Sequence, residues 1–292
     1  MLVAREWQDY ELLDAGNGAK LERWGNVILS RPDPQAIWPR QRDDRFWSRA
    51  DAVYHRSESG GGRWTMQKQL PRQWSIGYRD LRFHIEPTGF KHTGLFPEQA
   101  VNWDWMRALV RDAGRRVRVL NLFAYTGGAT VALAAAGAEV CHVDAAKRMV
   151  TRARENAQLS GLGERPVRYI TDDVQKFIQR ELRRGNQYEA IVMDPPTYGR
   201  GPTGELWKLE EALFELIRDC ARLLSDRPLF MLVNSYTTGF SPLVAANMLK
   251  REVSARYGGH VQSGEVALPI TDSALVLPCG AYGRWSLQGP AD

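Results

Sequence analysis

An open, doubly wound α/β sheet closed by an antiparallel C-terminal strand, preceded by a small β-rich domain, is the fold this sequence predicts. Three observations carry that expectation. From about residue 100, strand-like and helix-like stretches alternate, a pattern that builds a parallel sheet with helices on its faces. Near the end, two strand-like runs, 264–269 and 273–278, are separated only by Ile270-Thr271-Asp272, and so short a link allows only antiparallel neighbours. Before residue 86, short alternating runs rich in Trp, Tyr and Arg are divided by turn signals instead. The domains expected are a β-rich one at 1–88 and an α/β one at 89–292, a main body of about 200 residues with an appendage.

Taken in order, Tyr10-Glu11-Leu12-Leu13 and Lys20-Leu21-Glu22-Arg23-Trp24 flank Asp14-Ala15-Gly16-Asn17-Gly18, a hairpin signal. Further turns are expected at Arg31-Pro32-Asp33-Pro34 and Ser59-Gly60-Gly61-Gly62. Six of the ten tryptophans fall here (Trp7, Trp24, Trp38, Trp47, Trp64, Trp74), more than so small a core needs unless some serve a surface or an interface. A helix at 100–113, with Val101, Trp105 and Leu109 on one face, leads to a buried strand at 117–122. Helices are then expected at 128–136, 145–160, 173–184, 205–224 and 241–255, and strands at 138–143, 167–170, 188–193 and 228–234.

Three segments carry chemistry. The strand at 117–122 runs into Thr126, Gly127 and Gly128 and then an Ala-rich helix, a turn that brings backbone close to a ligand at the carboxyl ends of the strands. About twenty residues on, Asp144 ends the next strand, where a carboxylate accepts both hydroxyls of a ribose. A nicotinamide dehydrogenase shares both features. Asp194-Pro195-Pro196 separates the cases: two residues with fixed φ and no N–H make a rigid corner with carboxylate and carbonyl oxygens facing the cleft. Hydride transfer has no evident need of it, and the antiparallel closing strand also points away from dehydrogenases.

With Lys91-His92-Thr93-Gly94-Leu95-Phe96-Pro97-Glu98-Gln99, Asn121-Leu122-Phe123-Ala124-Tyr125-Thr126-Gly127, Val143-Asp144-Ala145, Asp172-Asp173 and Asp194-Pro195-Pro196-Thr197-Tyr198-Gly199 in this order, the chain resembles class I S-adenosylmethionine (SAM) dependent methyltransferases with their Rossmann-like sheet. More closely it resembles the branch of large-subunit ribosomal RNA enzymes that methylate cytosine C5 and guanine N7. The resemblance covers roughly residues 90–290. It implies SAM as cofactor, wrapped by Asn121, Phe123, Ala124, Tyr125, Thr126, Gly127 and Gly128. Asp144, with Ala145, would take the ribose. Of Asp172 and Asp173, one would accept from the adenine amino group and the other cap a helix, and the family's spacing to Phe177 selects Asp173 for adenine. Phe96 and Gln99 would line the cofactor cleft or substrate entrance, as would Lys91 and Thr93. Asp194 would lie beside the transferred methyl, the Pro195 and Pro196 carbonyls would position the target base, and Tyr198 would stack on it.

Two departures bear on the acceptor. Thr197 stands where amino methyltransferases place an aromatic, which weakens an exocyclic-amine reading. Relatives that methylate cytosine C5 carry a cysteine near the end of the fifth strand, where this chain has Asn234-Ser235-Tyr236. A heteroatom acceptor fits better. Cys141, Cys220 and Cys279 have no paired spacing, and no zinc site, disulfide framework or histidine metal cluster is expected. The charge of +5 is built from 32 Arg and 7 Lys. Arginine with tryptophan suits RNA, and a GC-rich genome would give the same bias. No apolar run reaches the length of a membrane span and the N-terminus has charges where a signal peptide would be apolar, so a cytoplasmic location is expected. Oligomeric state is not legible. The rival readings are a methyltransferase acting on protein or a small molecule, and a non-catalytic SAM- or RNA-binding module.

Overall fold

The apolar run at 117–122 becomes the strand Arg118–Leu122 (β1), in the middle of the large sheet of the computed structural model, which describes residues 1–57, 61–89, 91–201 and 204–289. The chain divides into a larger unit, made of Met1, Asn102–Glu265 and Gly280–Asp292, and a smaller one, made of Leu2–Val101 and Val266–Cys279. The division differs from the boundary expected after residue 88. Residues 85–101 are tied to the N-terminal strands: the Trp7 indole donates to Pro97 O at 2.9 Å, Trp64 to Thr88 O at 2.7 Å, and Arg31 to Lys91 O at 2.8 Å.

In the larger unit β1 is followed by Glu139–Asp144 (β2), Val167–Thr171 (β3), Ala190–Met193 (β4), Phe230–Ser235 (β5), His260–Pro269 (β6) and Val276–Ser286 (β7), the last two continuing into the smaller unit. Their order is β6-β7-β5-β4-β1-β2-β3. The pairs β1–β2, β2–β3, β1–β4 and β4–β5 are parallel, and β5–β7 is antiparallel, from Phe230↔Ser286 to Ser235↔Ala281. This is the expected doubly wound sheet with its reversed closing strand. Order reverses between β1 and β4, the place where an open α/β sheet leaves a crevice at the carboxyl ends of its strands. Leu120, Leu122, Val143, Ile191, Met193 and Val233 are fully buried there with Phe177, Ile178, Leu213 and Ile217 of the crossover helices. Each such side chain contributes about 1.5–3 kcal/mol on burial.

Two elements differ from expectation. The helix expected from 205 is Leu209–Leu223, because Leu206–Lys208 pairs antiparallel with Tyr198–Arg200 and the Leu209 N–H donates to Thr197 O at 3.0 Å. The final strand runs to Ser286 through Gly280 and Gly283, residues that read as breakers. Gly283 is a packing requirement: a Cβ there would lie 2.8 Å from the Ala245 Cβ of the helix Pro242–Leu249.

In the smaller unit, Tyr10–Gly16, Ala19–Trp24, Val27–Pro32, Ala52–Arg56 and Gly62–Met66 form a five-stranded sheet in that order, beside the two-stranded Trp74–Tyr78 and Leu81–Ile85. Asn17 (φ 52°) and Gly18 (φ 75°) make the predicted hairpin turn, both left-handed as a two-residue loop of that type requires. Of the other expected turn, Ser59 and Gly60 lie outside the described residues. Glu22 is buried and takes Arg31 Nε at 2.6 Å, Arg31 Nη2 at 2.8 Å and the Tyr10 hydroxyl at 2.8 Å. Burial would raise its carboxyl, but Arg31 and Lys20 outweigh that and hold it at about 2.

The tryptophans divide between the core and the half-buried surface. Trp24 and Trp47 are buried, and Trp7, Trp38, Trp64 and Trp74 are half-buried. Five spend their indole N–H inside the unit: Trp7 on Pro97 O, Trp38 on Ala15 O, Trp47 on Asp14 Oδ2, Trp64 on Thr88 O and Trp74 on Trp24 O. Their N–H groups frame this unit, while the rings of Trp7, Trp38, Trp64 and Trp74 keep part of their surface exposed.

Candidate active site at the carboxyl ends of the strands

The turn after β1 is built from unusual backbone. Phe123 (φ 53°), Tyr125 (φ 50°) and Gly127 (φ 83°) are all left-handed, which folds 123–127 tightly against β2, with the Ala124 N–H on Val143 O at 3.1 Å. Gly127 caps the helix Gly128–Ala135, and a Cβ on it would lie 2.7 Å from the Ala153 Cβ. The helix Lys147–Leu159 thus presses on the turn, and its buried Asn156 donates from Nδ2 to Thr126 O at 2.9 Å. Gly127→Ala is expected to destabilise the fold by about 1–2 kcal/mol from the left-handed backbone alone. The clash with Ala153 adds to that, and SAM affinity should fall with it. A thermal melt equal to wild type with unchanged SAM binding would contradict this account of the turn.

Asp144 ends β2 and clamps the same turn. Its Oδ2 accepts the Tyr125 N–H and its Oδ1 the Ala146 N–H, each at 2.8 Å. Burial raises its pKa, and those two N–H groups pull it down only in part. A carboxylate so placed gains from further donors, and two vicinal hydroxyls would supply them. Ala145 is half-buried beside it.

Asn121 is placed differently from a ligand-facing side chain. It is buried, its Nδ2 donates to Thr130 Oγ1 at 2.9 Å, and Thr130 Oγ1 lies 2.9 Å from His142 Nδ1. Its amide braces the helix behind the turn. Burial drives the His142 ring down to about 3, so it stays neutral in this network.

Asp173 and Asp172 also sort out. Asp173 caps the helix Val174–Arg184, its Oδ1 accepting the Lys176 N–H at 2.9 Å, while Asp172 pairs with Arg180. The capping role thus falls to the residue selected for adenine. The second Asp173 oxygen faces Gly201, where a Cβ would lie 3.0 Å away.

Asp194 follows β4 directly, in register beyond the pairs Met193↔Leu122 and Met193↔Val233. Pro195 is buried and Pro196 exposed. The Pro196 carbonyl accepts the Trp207 indole N–H at 2.6 Å, so it is committed to the fold rather than to a ligand. Trp207, which the sequence reading missed, also packs its ring 5.0 Å from Phe123 and so joins the cofactor turn to the Pro-Pro corner. No local pattern marks it, since its role depends on the hairpin 198–208. Thr197 Oγ1 meets Thr237 Oγ1 at 2.7 Å, and Tyr198 is 53% exposed, its ring open for stacking. Phe96 and Gln99 lie in the smaller unit at the turn Pro97–Gln99, Phe96 half-buried 5.3 Å from the His92 ring and Gln99 buried.

The residues present fit a SAM-sized cofactor: a left-handed turn held open by a glycine, a carboxylate at the end of the neighbouring strand, and a rigid acidic corner one strand over. Burial raises Cys141 to about 11 and raises Cys220 and Cys279 further above the thiol range. Among the described residues no His, Cys, Asp and Glu cluster could hold a metal, and no helix is long and apolar enough to cross a membrane.

Comparison with known proteins gives the family. A family model described as S-adenosylmethionine-dependent methyltransferase matches residues 48–243. The chain is 31% identical over 210 residues to "Ribosomal RNA large subunit methyltransferase K/L" of Pseudomonas aeruginosa, covering 70% of this chain and 27% of that protein. To the protein of the same name from Shewanella frigidimarina it is 34% identical over 146 residues, covering 49% and 20%. The chain thus spans only about a quarter of the length of such relatives. Among solved structures, the SAM dependent methyltransferase from Agrobacterium tumefaciens superposes with a TM-score of 0.94 at 39% identity, over 98% of this chain and 93% of that one. SMU.776, solved in complex with SAH, shares the fold at 17% identity, with a TM-score of 0.72 over 96% of this chain and 76% of that one. With two thirds of its length matched by the family model, this chain belongs to the S-adenosylmethionine-dependent methyltransferases.

Proposed function

We propose that this enzyme transfers a methyl group from SAM directly to a heteroatom of an RNA base, ribosomal RNA being the substrate class. The RNA part is supported by the names of the relatives. The direct route is supported by one observation above all: Asn234 stands at the end of β5 where a C5 enzyme needs a thiol, and all three cysteines are held protonated by burial. SAM supplies a methyl on a sulfonium centre, so the protein has mainly to hold a lone pair in line with it. On this reading Asp144 takes the ribose hydroxyls, Asp173 the adenine amino group, and the 121–128 turn the rest of the cofactor. Asp194 accepts an N–H of the target base, the Pro195 carbonyl flanks it, and Tyr198 stacks on it. A ribosomal substrate would place the enzyme in the cytoplasm.

A protein or small-molecule acceptor is the second reading, favoured by the structural role of the N-terminal tryptophans. Salt titration separates the two. RNA association should weaken with a slope near 0.7 per phosphate contacted on single strands. Salt-independent association, or none, supports the second reading. The triple variant Cys141→Ala, Cys220→Ala, Cys279→Ala should keep its turnover and lose only stability, since the Cys141 and Cys220 thiols fill core space and Cys279 is half-buried. A covalent complex trapped with 5-fluorocytosine RNA would instead restore C5 chemistry.

A further inference from the structure

Beside the Pro-Pro corner lies a buried polar relay that the methyl-transfer reading does not use. Arg284 of β7 is buried, its guanidinium 4.7 Å from the Trp105 ring and 5.0 Å from the Tyr282 ring. Its Nε and Nη2 donate to Asn102 Oδ1 at 2.9 and 2.5 Å. Asn102 Nδ2 in turn donates to Asn234 Oδ1 at 3.1 Å. Asn102 is fully buried and Asn234 is 3% exposed.

The chemistry of this chain has only one solution. A guanidinium has no acceptor, so the Asn102 atom facing it must be oxygen. The other end of that amide is then NH₂, and the Asn234 atom facing it must be oxygen too. Asn234 Nδ2 is therefore turned away from the relay as a donor, whichever way either amide is assigned in isolation. No protein atom among the described residues accepts from it, and it is not sealed from solvent. Its position matters. Asn234 follows Val233 and Asp194 follows Met193, and Val233 and Met193 are register partners, so the two side chains leave adjacent strands at the same level of the sheet.

We propose that Asn234 is a substrate-orienting residue. Its Nδ2 donates to an acceptor atom of the target base, beside the N–H that Asp194 accepts, and Arg284 fixes that polarity through Asn102. The inference deepens the reading of Asp194 as the reaction centre and rests on it. Together the two groups recognise an edge on which a donor and an acceptor stand side by side, as on every nucleobase. Arg284 and Asn102 act only as positioning residues.

Two isosteric variants reverse the polarity without emptying the site. In Asn102→Asp the carboxylate still faces Arg284, now with charge, but has no donor for Asn234. The Asn234 amide must then flip, giving Nδ2 to the introduced carboxylate and showing Oδ1 to the base. In Asn234→Asp the contact from Asn102 survives and the group facing the base is an acceptor. Both should keep the wild-type melting temperature and SAM affinity, while kcat/KM for RNA drops about tenfold or more, the loss of one hydrogen bond with two acceptors left opposed. A merely structural role would move the melting temperature instead. Full kcat/KM in either folded variant overturns the proposal. So does failure of Asn102→Asp to fold, since a carboxylate against Arg284 should be tolerated. A wild-type enzyme that binds SAM but transfers no methyl to RNA would sink the underlying reading, and this inference with it.

Discussion

Asp194→Ala should lower kcat on RNA by on the order of a hundredfold while SAM affinity stays within about twofold. The asymmetry follows from position. Asp194 is carried by β4, whose Ala190–Met193 are all buried between β1 and β5, and the next residue, Pro195, is buried with φ fixed by its ring. The Trp207 indole on Pro196 O then closes the corner. The strand end therefore cannot drift when one side chain is trimmed, and the loss is read at the acceptor it orients. Asp194→Asn keeps an acceptor oxygen and should fall less. Single-turnover kinetics with a parallel SAM titration make the separation. Full turnover by Asp194→Ala on the true substrate would remove Asp194 from the reaction centre.

Asp144→Ala should act in the opposite sense, costing SAM about 1.5–3 kcal/mol of binding free energy. On the proposed reading the cofactor contact and the local fold share one carboxylate. With Asp144 gone, the N–H groups of Tyr125 and Ala146 lose their acceptors, and the left-handed turn at 123–127 loses its clamp. Stability should fall alongside affinity, by about 1–3 kcal/mol for the part-buried Tyr125 N–H left unsatisfied, water replacing the acceptor of the exposed Ala146 N–H. Asp144→Asn, which keeps one acceptor oxygen, divides the two effects: it should recover more of the stability than of the affinity. Calorimetry on the three proteins checks this, and equal SAM affinity in wild type and Asp144→Ala would take Asp144 out of the site.

Most of the sheet was legible because its strands are near-continuous apolar runs and its crossover helices are strongly amphipathic, signals that depend on neighbours in sequence. Asp144, Asp172, Asp173 and Asp194 were legible as positions for the same reason, each lying where a strand ends or a helix begins, and Asn121 as the residue before the last of β1. Their division of labour was not. Asp173 rather than Asp172 caps because the helix starts at Val174, a boundary that shifts by a residue without altering periodicity. Asn121 turns inward because Thr130 and His142, nine and twenty-one residues away, meet it beneath the turn. Trp207 and the relay of Asn102, Asn234 and Arg284 were invisible, as each rests on contacts between distant segments. The tryptophans hold a second role that was invisible for a related reason. Composition counts an indole as stacking surface, whereas in a small unit with little core the same ring both fills space and supplies an N–H to hold a carbonyl.

The central claim is that SAM bound at the ends of β1 and β2 gives its methyl to an RNA base poised at Asp194. Incubating the enzyme with methyl-labelled SAM, total cellular RNA and total cellular protein, then resolving labelled nucleosides, tests it most directly. The account predicts label in RNA, in a single nucleoside methylated on a heteroatom, lost with Asp194→Ala. Label confined to protein, or recovered as C5-methylcytosine, would contradict it.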